Sequence, residues 1–464
     1  MENPFNGIQL TVKNVPALDP GFIPLAGLIR RFRQSAGEGR PIKIAVEREG
    51  GQISVFEMSV HGTEAMRRAD EQLVERVVKT LLWARGGWRV IIAGDDGLAA
   101  FIKAAYAEGG SRAFDARFMA RVYERPFVVQ SMAYDAVPQP KDAPKSIGRH
   151  LDGCRIGFDA GGSDRKVSAV IDGEAVWSEE VVWHPKLNSD PDYHFQGIVD
   201  ALRSAAAKMP RVDAIGVSSA GIYIANRTMV ASLFLKVNDG DFDKYVKDIY
   251  LRAARELGEH LPIEVANDGD VTALAGAMEL EDTNVLGIAM GTSQAGGFVD
   301  GGGNITGWLN ELAFVPLDAN PEAMADEWSG DIGCGVKYFS QDAVIKLAPA
   351  AGIELAPAAT PAENLKAVQK LMEQRDGRAV AIYESIGCYL GHALAWYAEF
   401  YDMKHVLLMG RVMSGDGGSI LLEQTQKTLD SEYPDVARKT TLHLPDEASR
   451  RIGQSVAAAS LPQI

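Results

Sequence analysis

Cysteine is scarce. The 464 residues hold three, Cys154, Cys334 and Cys388. They are odd in number, far apart and in no CxxC pair, so neither a disulfide framework nor a cysteine-rich zinc site is expected. Reduced thiols in a cytoplasmic protein are the reading this usage favours. No run of about 18 apolar residues occurs, so no transmembrane helix is expected. The opening residues, MENPFNGIQLTVKNVPALDP, lack a basic region followed by an apolar one and do not read as a signal peptide. Positive charge is outnumbered: 47 Lys and Arg against 62 Asp and Glu leave a net charge of −15. Nucleic acid and anionic membranes need a basic face, so neither is expected as the main partner. The G-x-S-x-G of hydrolases is missing too. What is present is ordinary for a globular chain, 46% hydrophobic and 23% charged, with a length suited to two to four domains.

Residues 1–150 read as a separate α/β domain. IKIAVERE, Gly50-Gly51 and QISVFEMSV form a hairpin pattern with suitable turn residues. Residues 64–85 carry Met66, Leu73, Val74, Val77, Val78, Leu81 and Leu82 at helical spacing. WRVIIAGD is a buried strand, 96–108 and 113–124 are helices, and 127–136 is a further strand. VPQPKDAPKSIG (137–148) is a linker. A similar order then restarts at residue 155, which suggests a duplication whose first copy is a degenerate lobe; the alternative is the order any α/β domain shows.

The restart opens with RIGFDAGGSDRKVSAVIDGE (155–174), an apolar strand, Asp159, a glycine turn and a second strand. Glycines at 161 and 162 let backbone N–H groups approach an anion closely, because no Cβ stands in the way. Ser163 adds a hydroxyl and Lys166 a positive charge. Asp159 is placed to hold a magnesium ion through water. This is not a Walker loop, which needs GxxxxGK[ST] between strand and helix. Alone, such a pair of glycines is only a turn. A second strand–Gly-Thr–glycine–strand element, AMGTSQAGGFVDGGG (289–303), strengthens the phosphate reading, and a third glycine turn follows the strand HVLLMG (405–410). Asp268, after the strand PIEVAND, is either a catalytic carboxylate or a helix N-cap. His184 and His194 flank a polar loop, WHPKLNSDPDYH (183–194), that reads as a solvated loop in preference to a metal-ligand pair. Trp396, Tyr397, Phe400 and Tyr401 read as the buried face of a helix.

DAGGSDRK (159–166) resembles the DxGGTxxK motif of the ROK family (repressors, open reading frames, kinases), with Ser for Thr. Asn267-Asp268, Gly291-Thr292 with Gly296-Gly297, and VDAIGVSSAG (212–221) follow in the family's order, over about 155–460. The resemblance implies an α/β, two-lobed actin/hexokinase-like (ribonuclease H-like) fold. Its first lobe would take 151–275 plus the helix at about 446–464, and its second 276–445. It implies an ATP-dependent kinase for a hydroxyl of a sugar or sugar-like molecule, using Mg2+, with family members often homodimeric. Carried over residue by residue, Asp268 would be the general base. Asp159, Gly161, Gly162, Ser163, Lys166, Gly291, Thr292, Gly296 and Gly410 would bind nucleotide. Gly221, Asn267 and Glu311 would bind the acceptor.

The departures bear on that role. In NELAFV (310–315) Glu311 is kept but Phe314 replaces the family's histidine. In EWSGDIGCGVKYFS (327–340) only Cys334 survives of the zinc cysteines, and Val336 stands where a sugar-contacting Glu is usual, so no zinc site is expected. Arg411 replaces a glycine near the adenosine. Three readings follow: a sugar kinase, a ligand-binding regulatory protein that has lost turnover, and another enzyme of the superfamily. Residues 1–150 lack a basic trihelical segment, which argues against a DNA-binding repressor.

Overall fold

The computed structural model describes residues 8–142, 146–445 and 447–464; part of the expected linker, 143–145, lies outside them. The chain packs as two compact units. One takes Met1–Asp142, Ile288–Gly296 and Trp308–Leu444, and the other Ala143–Gly287, Gly297–Gly307 and Pro445–Ile464. The N-terminal segment therefore shares a unit with 308–444, where the sequence pattern had set it apart.

In the first unit, β1 (Arg40–Glu47), β2 (Ile53–Val60), β3 (Arg89–Ala93) and β4 (Val128–Met132) form a sheet in the order β2-β1-β3-β4. Ile42, Ile44, Ala45 and Val46 of β1 are fully buried, as a central strand covered on both faces requires. β1 pairs antiparallel with both β2 and β3. In the second unit the strand Cys154–Ala160 also opens an antiparallel hairpin, but its other neighbour, Ala214–Ser219, runs parallel to it.

The helix Arg67–Arg85 buries its expected apolar side, and also Asp70, Glu75, Arg76, Lys79 and Thr80. Those polar groups need partners, since an unpaired buried charge is costly. Lys79 lies 3.1 Å from Asp115 and 3.0 Å from Asp331. Arg76 pairs with Glu75 at 2.6 Å and Asp331 at 3.1 Å, and Arg112 with Glu75 at 2.5 Å and Asp331 at 2.6 Å. The Trp83 indole donates to Asp115 at 2.8 Å. Burial pushes the Asp331 carboxyl up, but Arg76 and Lys79 outweigh it and hold it below its ordinary value. The helix Gly377–Tyr397 runs through the interior of this unit, and Trp396, Tyr397, Phe400 and Tyr401 are buried as expected.

The second unit holds β5 (Cys154–Ala160), β6 (Asp164–Ile171), β7 (Glu174–Val182), β8 (Ala214–Ser219), a small hairpin of β9 (Ile222–Ile224) and β10 (Arg227–Val230), and β11 (Ile263–Asn267). The main sheet runs β11-β8-β5-β6-β7, with β5, β6 and β7 antiparallel and β8 parallel to both β5 and β11. This is the ribonuclease H-like arrangement. Residues 288–296 of the hairpin β12 (Val285–Met290) and β13 (Gln294–Val299) belong to the first unit. With β14 (His405–Met409) and β15 (Thr441–His443) the hairpin makes a sheet in the order β13-β12-β14-β15.

The C-terminal helix Glu447–Ala459 lies on the β5–β8 part of the main sheet. Gly157 and Gly216 are register partners there. A Cβ on Gly157 would overlap the carbonyl oxygen of Ser455, and one on Gly216 that of Ala458. The two bare positions let the helix backbone rest on the strands. Arg155, also buried, donates to Asp152 O at 2.7 Å and Pro462 O at 2.8 Å, tying the chain end to the start of β5. Among the described residues no helix is long and apolar enough to cross a membrane.

Two outcomes follow. Gly216→Ala should lower stability by about 2 kcal/mol, as overpacking does, and expose the last helix to trypsin; wild-type urea unfolding with an uncut C-terminus would refute this contact. Lys79→Met leaves Asp115 and Asp331 without their shared cation and should cost about 3–5 kcal/mol. A urea midpoint within error of wild type would mean that the cluster contributes nothing net.

Candidate active site

The expected phosphate turn sits between β5 and β6 of the second unit. Trp183, just after β7, holds it: the indole donates to Gly161 O at 2.8 Å and the Trp183 N–H donates to Ser163 O at 3.1 Å. A Cβ on Gly161 would come within 2.6 Å of Asp164 O, so this glycine answers a close approach of backbone. The Ser163 hydroxyl donates to Asp164 Oδ2 at 3.2 Å.

Asp159 is the penultimate residue of β5. Its register partners are Lys166 on β6 and Ser218 on β8, so all three side chains share one face of the sheet. The Ser218 hydroxyl donates to Asp159 Oδ1 at 2.9 Å. Lys166 Nζ stands 3.7 Å from Asp164 Oδ1. Tyr250 supports the neighbouring residue, donating to Ser219 Oγ at 2.9 Å.

Asn267 ends β11 and Asp268 opens the helix Asp268–Glu279. The cap is Asn267: its Oδ1 accepts from Gly269 N–H at 2.8 Å, and its Nδ2 donates to Gly221 O at 2.7 Å. That contact joins two of the expected acceptor-binding residues and relieves Asp268 of the capping role. Asp268 Oδ1 accepts from the adjacent Gly269 N–H at 3.0 Å. Gly221 has φ of 145°, and a Cβ there would crowd the Val230 carbonyl. Asp270, still in the first turn, accepts from Phe298 N–H at 3.0 Å, and Gly297 leaves no room for a Cβ against the Gly269 carbonyl.

β8 lies between β5 and β11 with all three parallel, so Asp159 and Asp268 come to the same edge of the sheet. Both are half-buried. Burial, and then the charge of Asp268, pushes the Asp159 carboxyl up to about 6, against the Ser218 hydrogen bond and Lys166. Burial also raises the Asp268 carboxyl, opposed by the backbone N–H donors and by Lys186. Two carboxylates thus stand at the carboxyl ends of parallel strands, beside a glycine turn and a helix N-terminus.

The first unit holds the remaining candidates. Gly291 N–H donates to Ser293 O at 2.9 Å, closing the β12–β13 turn, and Gly291 O accepts from Gln341 N–H at 2.9 Å. Thr292 is exposed, and its hydroxyl accepts from the Arg411 guanidinium. Gly410 has φ of 96° and lies against the Met290 backbone, where a Cβ would overlap. Gly296 is buried, with a Cβ excluded by Asn310 O at 2.6 Å and Leu312 Cγ at 2.7 Å, so its bareness serves packing. Glu311 is half-buried, its N–H donating to Trp83 O at 3.0 Å. Phe314 packs between Trp83 and Trp328, with ring centroids 4.4 Å and 4.8 Å away. The Cys334 thiol, raised by burial, faces Asp331 at 3.6 Å.

The histidine pair does not form a metal site. Both ring nitrogens of buried His194 face backbone carbonyls, Asp190 O at 2.9 Å and Pro185 O at 3.0 Å, while His184 is exposed. Sequence reasoning missed Ser218, Trp183 and Lys186. Ser218 lay unremarked inside the family-like segment 212–221, and Trp183 at the head of the polar loop. Lys186 stood in the polar loop that had drawn notice for its histidines.

The ROK family model matches residues 155–451. No curated protein gives a significant match. Among solved structures, a ROK hexokinase from Thermus thermophilus is 19% identical, with a TM-score of 0.49, covering 66% of this chain and 97% of that one. A ROK glucokinase from Streptomyces griseus in complex with glucose and AMPPNP is 20% identical, with a TM-score of 0.47, covering 67% and 99%. A ROK transcriptional regulator, a homologue of the E. coli MLC protein, is 19% identical, with a TM-score of 0.48, covering 67% and 80%. The family match spans well over half of the sequence and includes Asp159, the glycine turn and the Asn267-Asp268 pair, and on that ground the chain belongs to the ROK family.

Proposed function

We propose that the protein is an ATP-dependent kinase that phosphorylates a hydroxyl of a sugar or sugar-like molecule. One observation carries the reading: Asp159 and Asp268 meet at the carboxyl ends of parallel strands beside the Gly161-Gly162 turn. Asp268 is the general base. It takes the proton of the acceptor hydroxyl as that oxygen bonds to the γ-phosphorus and the bond to the bridging β-oxygen breaks, releasing ADP. Its raised pKa suits a proton acceptor working near neutral pH. Asn267 orients the helix start while binding Gly221, and both are candidates to touch the acceptor.

Asp159 fits a magnesium ion, offering hard anionic oxygens in a setting where a second carboxylate already favours a counter-charge. Such an ion, when bound, neutralises charge on the nucleotide phosphates. Gly161, Gly162, Ser163 and Lys166 are the candidate phosphate contacts of the second unit. In the first unit Gly291, Thr292 and Gly410 are candidates for the nucleotide and Glu311 for the acceptor.

A regulatory protein that binds its ligand without turnover is the second reading. It is favoured by Phe314, which stands in the family's histidine position and is locked between Trp83 and Trp328. A coupled ADP-release assay with Mg-ATP and a panel of hexoses, amino sugars, N-acetyl sugars and polyols separates the two. The kinase reading expects turnover with one acceptor class and a loss of about a thousandfold in kcat for Asp268→Asn, with nucleotide affinity retained. Silence across the panel, with nucleotide still bound, would move the protein to the regulatory reading.

The Asp159 pKa gives a second outcome. A folded-state value of about 6, above the ordinary 3.8, means that the folded protein holds this proton more tightly than the unfolded chain. Without metal, the contribution of Asp159 to stability is therefore lost as pH rises from 3.8 through about 6. Asp159→Asn should melt above wild type at pH 7.5, and Mg-ADP should stabilise wild type alone. Equal melting temperatures and an equal response to Mg-ADP would remove Asp159 from the metal role.

A further inference from the structure

The strand β7 ends at Val182, and the next residues are built around the phosphate turn. Trp183 is buried and holds the carbonyls of Gly161 and Ser163. Pro185 is buried, opens the short helical turn Pro185–Leu187, and offers its carbonyl to His194 at 3.0 Å. His194 in turn reaches Asp190 O at 2.9 Å and packs on Phe234 at 4.9 Å between centroids. Between these anchors stands Lys186, an exposed residue. Its aliphatic end lies over the glycine turn: a Cβ on Gly162 would come within 2.9 Å of Lys186 Cε and 3.0 Å of Nζ. Its charge is also felt by the Asp268 carboxylate. No described carboxylate forms an ion pair with it.

An exposed lysine usually sweeps freely through solvent, and its rotamer entropy opposes any fixed position. Here the backbone on both sides is pinned by buried aromatic and histidine contacts, so the ammonium starts close to the turn. Lys166 is less available for a phosphate, since it stands beside Asp159 on the sheet face and close to Asp164. The bare Gly162 leaves the Lys186 ammonium room over the turn, where a Cβ would meet its flexible end.

We propose that Lys186 is a phosphate-binding residue of this protein, the cation that meets the terminal phosphates of a nucleoside triphosphate at the Gly161-Gly162 turn. Lysine serves such a role as a compact point charge. The inference rests on the kinase reading for its ligand, but it concerns binding and does not need turnover. It also separates two jobs at the site. Asp268 acts on the acceptor proton, and Lys186 holds the group being transferred.

Calorimetric titration with Mg-AMPPNP and with AMP tests it on the full chain. Lys186→Gln should weaken Mg-AMPPNP at least tenfold and leave AMP within twofold, and Lys186→Arg should recover most of the loss. Lys186 is exposed, so the variants are expected to fold, and circular dichroism checks this. If wild type binds Mg-AMPPNP and Lys186→Gln binds it equally well, the inference is overturned while the kinase reading stands. If AMP weakens as much as Mg-AMPPNP, the lysine is not reading the terminal phosphates and the inference is again overturned. If wild type binds neither nucleotide, both the inference and the kinase reading are overturned together.

Discussion

Two carboxylates at one edge of a sheet repel each other, and much of the second unit is arranged to keep them there. β8 inserts between β5 and β11, so Asp159 and Asp268 are carried to the same end by strands running the same way. Ser218, on the middle strand, hydrogen-bonds Asp159, and Asn267 caps the helix that Asp268 begins. Neither contact neutralises the pair. The raised pKa of Asp159 records the residual cost in the absence of a counter-ion. Strain of this kind persists only where the surrounding packing over-determines it. Here the glycine pair Gly157/Gly216, two residues before Asp159 and Ser218 on the same face of the sheet, seats the C-terminal helix directly against the strands.

The first unit solves a different electrostatic problem. The stretch around Cys334 carries cysteines for zinc in the family pattern, and here it meets the helix Arg67–Arg85 and Arg112. Asp331 receives Lys79, Arg76 and Arg112, and Cys334 turns its thiol to the same carboxylate. A buried network of this size is weak evidence for stability, because desolvation offsets most of the attraction. In the arrangement present, each of Arg76, Lys79 and Arg112 has a carboxylate partner. Phe314 extends the same contact with Trp83. The N-terminal residues are thus integrated into this unit through the segments where the sequence departs from the family.

What could be read from the sequence follows from locality. The glycine turn after Asp159, the strand before Asn267-Asp268, the first hairpin and the final helix are all encoded in short windows, where backbone freedom and apolar spacing speak directly. The pairing of Lys79 and Arg76 was not legible, because Asp115 lies 36 residues from Lys79 and Asp331 lies 255 residues from Arg76. The antiparallel β1–β3 pairing was hidden for a related reason: a helix between two apolar strands does not announce their relative direction. At Asp268 the sequence offered a cap and a catalytic carboxylate as rivals, and the fold gives the cap to its neighbour Asn267.

Lys186 shows the same limit from the functional side. Its loop was conspicuous for two histidines, residue types that draw attention because they bind metals. One of them, His194, has a structural task in which it fixes the Pro185 carbonyl and therefore the path of the chain at 186. The chemistry-bearing residue is the unremarked lysine between the anchors. Charge close to a phosphate turn is useful only when its position is held, and the holding is done by buried side chains that carry no chemistry of their own. In this chain the exposed groups that face the glycine turn are made useful by Trp183 and His194 beneath them.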